Sequence, residues 1–85
     1  MNISRGEQRV LHVLARGGQI RHLRGENGRI HHIDCFTHEG HILSDCTLAI
    51  FGGLRRKHLI ESRQGGPYRI SQQGRLAVRS QADNR

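Results

Sequence analysis

The chain predicts an α+β fold, a single small winged-helix-like domain over residues 1–85. Its expected order is N-terminal helix, β-hairpin or meander, central helix, wing hairpin and C-terminal helix. Three observations predict this. The N-terminal stretch is amphipathic with a helix-capping signal. Short apolar runs in the first half are separated by glycine-containing turns. In the second half a helix ends in a basic turn and is followed by strand, glycine-rich turn, strand and helix, the outline of a winged helix.

In "SRGEQRVLHVLARGG", Ser4 is a good N-cap and Glu7 lies three residues later, as a capping box requires. Val10, Leu11, Val13 and Leu14 form an apolar stripe at helical spacing. Gly17-Gly18 supplies the stop, because glycine takes the left-handed turn without strain.

"QIRHLRGENGRIHHIDCF" reads as a hairpin about Gly25-Glu26-Asn27-Gly28. Its alternation is imperfect. Ile20 and Leu23 fall on opposite faces of a regular strand, as do Ile30 and Phe36 against Ile33. Either a bulge or a sheet covered on both faces repairs this. A second turn at Thr37–Gly40 leads to a short strand at "HIL".

Ser44 or Asp45 is the expected cap of the central helix, with Leu48, Phe51 and Leu54 one turn apart. Gly52-Gly53 inside a helix costs roughly 1 kcal/mol per residue against alanine, which implies a close neighbour or a kink. Arg55-Arg56-Lys57 ends this helix, where the dipole favours cations. Leu59–Ser62 and Tyr68–Ser71 are strand-like. Ser71–Ala82 is the last helix, with Gly74 a weak point near its start.

The composition is 34% hydrophobic, and the 11 glycines bring the sum near the ~45–50% of globular domains. With one Tyr, two Phe and no Trp, the core is aliphatic and thin. A chain this short buries somewhat more than ~60% of its unfolded surface, enough to fold alone with little margin.

The formal net charge is +7, with 13 arginines and a single lysine. That balance points to an acidic partner, whether nucleic acid, membrane surface or acidic protein. Arginine enrichment that simply follows from a GC-rich genome is the alternative explanation. No apolar run approaches the ~18 residues of a membrane span, and of the acidic partners a membrane is not the one expected. "MNISRGEQRV" lacks the apolar stretch of a signal peptide. Two cysteines make no disulfide framework. The expectation is a soluble, cytoplasmic protein with reduced thiols and no cofactor.

Arg55, Arg56, Lys57, Arg63 and Arg69 are the candidate binding residues, expected to form a continuous basic face across the helix end and the wing. Arginine suits forked recognition of phosphate or carboxylate. Readout of base edges is disfavoured, since the helix offers few long exposed polar side chains.

"CFTHEGHILSDC" has the spacing C-x2-H-x2-H-x4-C, so Cys35, His38, His41 and Cys46 are a candidate zinc set. Against it, the short C-x2-C knuckle is absent and Cys46 would have to reach back from a helix start. Buried thiols packing as small apolar groups are the favoured reading. The remaining histidines are scattered. No Ser-His-Asp order, paired carboxylates or phosphate loop stands out, so an enzyme is not expected.

"SRGEQRVLHVLARGG", "DCTLAIFGGLRRKHLIESRQGGPYRIS" and the ending "DNR" resemble the YjhX family of small bacterial proteins. The most specific pieces are "DCTLA" and "LIES" followed by "PYRI". The resemblance implies the toxin of a type II toxin–antitoxin pair, one that binds DNA topoisomerase I and blocks relaxation of supercoiled DNA. It also implies an antitoxin resembling an acetyltransferase-fold protein. A winged-helix transcriptional regulator that binds duplex DNA is the alternative.

Overall fold

The first helix starts where its capping chemistry places it. In the computed structural model, which describes residues 2–80, α1 runs Arg5–Ala15. Glu7 N–H donates to Ser4 Oγ at 3.1 Å, and Ser4 N–H donates to Glu7 Oε1 at 2.8 Å. The helix closes with Gly17 N–H on the Leu14 carbonyl and Gly18 N–H on the Val13 carbonyl. Gly17 has φ 107°, so this is a Schellman ending built on glycine. Val10, Leu11 and Leu14 are buried.

The meander that follows is β1 (Gln19–Arg24), β2 (Ile30–Phe36) and β3 (Ile42–Leu43). Its two turns share one plan. Gly28 N–H donates to the Gly25 carbonyl and Gly25 N–H to the Arg29 carbonyl; Gly40 N–H donates to the Thr37 carbonyl and Thr37 N–H to the His41 carbonyl. In each, a left-handed glycine (Gly28 φ 79°, Gly40 φ 92°) turns the chain back.

Next come α2 (Leu48–Arg56), β4 (Ile60–Ser62), β5 (Tyr68–Ile70) and α3 (Gln72–Ser80). Thr47, not Ser44 or Asp45, caps α2: its Oγ1 accepts from Ile50 N–H at 3.2 Å. Asp45 is engaged elsewhere, pairing with Arg9 at 2.7 Å. Ser71 Oγ accepts from Gly74 N–H at 3.0 Å and itself donates to the His58 carbonyl at 2.6 Å. One side chain thus caps α3 and ties it to the end of α2. The expected extension of this helix to Ala82 lies outside the described residues.

The five strands form one antiparallel sheet in the order β3-β2-β1-β5-β4. Ile20, Ile33, Cys35, Ile60, Tyr68 and Ile70 face inward, toward the three helices. Residues between them in sequence point the other way, since side chains alternate along a strand. That opposite face carries Gln19, Arg21, Leu23, Asp34, Phe36, Glu61 and Arg69 and is largely exposed.

Three sequence expectations need correction. The expected bulge is present as a register shift between Leu23 and Arg24, which brings Ile30 back against the core with Ile33, but it falls too late to turn Leu23 inward, and the strands are not covered on both faces. Leu23 therefore stays on the open face, 59% exposed. Leu48 does not share the burial of Phe51 and Leu54; it is 46% exposed at the first turn of α2. Gly74 is no weak point: a Cβ there would overlap the Leu59 carbonyl oxygen, so the missing side chain lets α3 settle against the start of β4. What the described residues form is an α+β domain of three helices and one five-stranded antiparallel sheet, with β1–β3 lying between α1 and α2.

Candidate interaction surface

The basic end of α2 is built around a buried carboxylate. Lys57, the C-cap, reaches across to α1, and its Nζ meets Glu7 Oε1 at 2.6 Å. Burial alone would push the Glu7 carboxyl up. The Lys57 ammonium and the Ser4 N–H overcome this, and the carboxyl sits below the ordinary glutamate value. Gly53 makes room for this pair, because a Cβ at that position would overlap Glu7 Oε2. Of the five predicted cations, Lys57 is thus engaged inside the molecule, where its charge is matched.

The other four are exposed and divided between two sides. Arg63 and Arg69 line a groove of about 630 Å³ with Pro67, Gln72 and Arg75, between the β4–β5 turn and α3. Arg69 also hydrogen-bonds Gln19 Oε1 at 3.1 Å, and Arg63 meets Glu61 at 3.2 Å. Arg55 instead lies over the ring of Tyr68, 5.8 Å from its centroid. Tyr68 points to the helices and its neighbour Arg69 to the open face, so Arg55 and Arg69 stand on opposite sides of β5. The expected continuous basic face is therefore split by strand alternation. Arg56 is exposed on α2 with its guanidinium beside Gly52.

Sequence reasoning passed over four further arginines. Arg75 joins Arg63 and Arg69. Arg21 lies on the open face, 5.5 Å from the Phe36 ring centroid, and shares a second groove with Arg69 and His38. Arg24 and Arg29 flank the first turn and line a third groove, of about 420 Å³, with Arg55. The signal was present: hairpin pairing brings the two flanks of a turn together, so Arg24 and Arg29 had to be neighbours. Among the described residues, Arg9 and Arg63 are the arginines that meet a carboxylate. The rest present their guanidinium groups without an internal counter-charge.

The cysteine–histidine spacing is divided between interior and surface. Cys35 is 1% exposed on the inner sheet face, and Cys46 packs half-buried against the same core. Both thiols are free. The neighbouring Cys46 thiol pushes Cys35 down, and the Cys35 thiol together with burial pushes Cys46 up. His38 and His41 are exposed in the turn between β2 and β3. No three His, Cys, Asp or Glu side chains converge as a metal site among the described residues. Nor is any described helix long and apolar enough to cross a membrane.

Comparison with known proteins agrees along the whole chain. A UPF0386 protein of Beijerinckia indica is 65% identical over the full length of both chains, and one of Brucella anthropi is 68% identical over the full length of both. A third, from Rhodospirillum rubrum, is 63% identical over 99% of this chain and 93% of its own. No solved structure matches. The family model that matches residues 1–85 is described as "Putative toxin of bacterial toxin-antitoxin pair". The chain belongs to this family, the YjhX toxins, and an antitoxin is accordingly its expected counterpart.

Proposed function

We propose that the protein is the toxin of a type II pair that binds bacterial DNA topoisomerase I in the cytoplasm and inhibits it without making or breaking a bond. An acetyltransferase-like antitoxin neutralises it. The family resemblance supplies the target. The observation that carries the mode of action is the set of exposed arginines with little internal counter-charge, Arg55, Arg56, Arg63 and Arg69 among them. Such groups grip carboxylates on an enzyme surface or phosphates of the DNA it holds. The test is a plasmid relaxation assay with purified topoisomerase I. Saturating protein should halt relaxation, and the double variant Arg63→Ala/Arg69→Ala should need about tenfold more protein, a loss of about 1.4 kcal/mol. Unchanged relaxation at saturating protein would refute the proposal.

A winged-helix regulator acting on duplex DNA is the second reading, favoured by the order α2–β4–β5 with Arg55 and Arg56 on the helix and Arg63 and Arg69 beyond it. It requires duplex affinity in the absence of topoisomerase, falling steeply with salt. The exposed positions of α2 ahead of Arg55 are Leu48 and Ala49, which are too short or apolar to read base edges. Binding of this kind would follow the phosphate backbone. A duplex titration at low salt with no binding would eliminate it.

A further inference from the structure

The groove between α2 and the tip of the β1–β2 hairpin is unlike the other two. Its lining combines Ile30, Leu48, Phe51 and Gly52 with Arg24, Arg29 and Arg55. Leu48 stands 46% exposed at its edge. Gly52 removes a side chain where α2 meets the groove, and the nearest atom to a Cβ there would be Arg56 Nη1 at 3.5 Å. The arginines surround an apolar floor, and none of the three meets a carboxylate among the described residues.

Two of these arginines are already positioned. Arg24 Nη1 donates to the Gly28 carbonyl at 2.7 Å, which holds it across the turn. Arg55 rests over the Tyr68 ring, and Tyr68 in turn meets Phe51 edge-to-face at 5.0 Å. Side chains held before binding lose less entropy on binding. A cleft of about 420 Å³ is within the range that accepts a few side chains of a partner.

We infer that this groove is a docking site for a partner protein's acidic, apolar segment, one that lays an apolar stripe on Ile30, Leu48 and Phe51 and flanks it with carboxylates to Arg24, Arg29 and Arg55. An amphipathic helix meets that description. Charge complementarity selects the occupant. A second copy of this chain carries +7 and is repelled by the rim. Duplex DNA satisfies the arginines but leaves Ile30 and Leu48 facing phosphates. The inference rests on the chain being a binding protein and not on topoisomerase I being its target.

The test is selection of a displayed random-peptide library on the full-length protein, followed by anisotropy titration of the enriched peptides. Enriched peptides should combine Leu, Ile or Phe with Asp and Glu. Their affinity should fall about tenfold or more in Leu48→Glu and, separately, in Arg29→Glu. Arg16→Glu, an exposed arginine lining none of the three grooves, should bind as the parent does. Circular dichroism of each variant keeps misfolding separate from lost contact. No enrichment, enrichment of peptides without carboxylates, or equal binding to folded Leu48→Glu overturns the inference. So does concentration-dependent dimerisation that Leu48→Glu abolishes, or a duplex that displaces every selected peptide. The relaxation assay plays no part in this readout, so the two proposals fail separately.

Discussion

Adjacent glycines in α2 have opposite physical roles. At Gly53 a Cβ would overlap the Glu7 carboxylate, which is fixed by Ser4 N–H and Lys57. At Gly52 the nearest atom would be Arg56 Nη1 at 3.5 Å, an ordinary contact. Helix propensity favours alanine over glycine at both by about 0.8–1 kcal/mol. Gly52→Ala should therefore stabilise by nearly that amount. Gly53→Ala should destabilise by about 1–2 kcal/mol, because displacing the carboxylate weakens two charge-assisted hydrogen bonds worth more than the propensity gain. Urea denaturation of the two variants checks the signs, and stabilisation by Gly53→Ala would show that Glu7 moves aside freely. The glycine pair announced a close neighbour in the sequence, yet its identity, 46 residues upstream by the difference of 53 and 7, was not legible there.

The ends of the helices show what an element decides locally. Both α1 and α2 close with Schellman hydrogen bonds; in α2 these are His58 N–H to the Arg55 carbonyl and Leu59 N–H to the Leu54 carbonyl. Fully buried Leu54 and Leu59 supply the apolar contact that accompanies the motif. The left-handed residue is Gly17 after α1 but His58, at φ 60°, after α2. A Cβ in that region costs about 1 kcal/mol. His58→Gly should thus raise stability by about 0.5–1 kcal/mol, since the backbone carbonyl that accepts from Ser71 Oγ is retained. A lower thermal midpoint would mean that the imidazole makes a contact worth more than the strain. The α1 capping box, its glycine stop and both hairpin turns were legible because each is complete within a few residues. The cap of α2 was not. Ser44, Asp45 and Thr47 all have capping side chains, and the choice fell to Thr47 once Asp45 had paired with Arg9 from another helix.

At the scale of the molecule, the Glu7–Lys57 pair joins the start of α1 to the end of α2. Its pH dependence has a definite sign. The folded-state pKa of Glu7 lies below the ordinary value, so the unfolded chain binds more protons in the window between them. The pair's stabilisation is fully present above the unfolded glutamate value of about 4.3 and is lost as pH falls through the lower folded value. Glu7→Gln should be about 2 kcal/mol less stable than the parent at neutral pH, a typical value for a charged hydrogen-bonded partner. The gap should close in acid, below pH ~4. A gap that persists unchanged there would mean that the lost stability is packing rather than charge. The open face of the sheet also belongs to this scale. Leu23 and Ile42 are apolar yet 59% and 61% exposed, because all three helices lie on one side.

By itself the sequence determined the elements, most of their ends, the aliphatic core and the surplus of positive charge. These follow from short-range chemistry: caps, left-handed turn positions and apolar periodicity act within a few residues. Only the tertiary structure decided which cations are free. Lys57 and Glu7, and likewise Arg69 and Gln19, are 50 residues apart in sequence and meet because elements dock. A side chain's periodicity gives its face, but whether that face finds a carboxylate, an apolar groove or solvent depends on what packs against it, and no local rule contains that information.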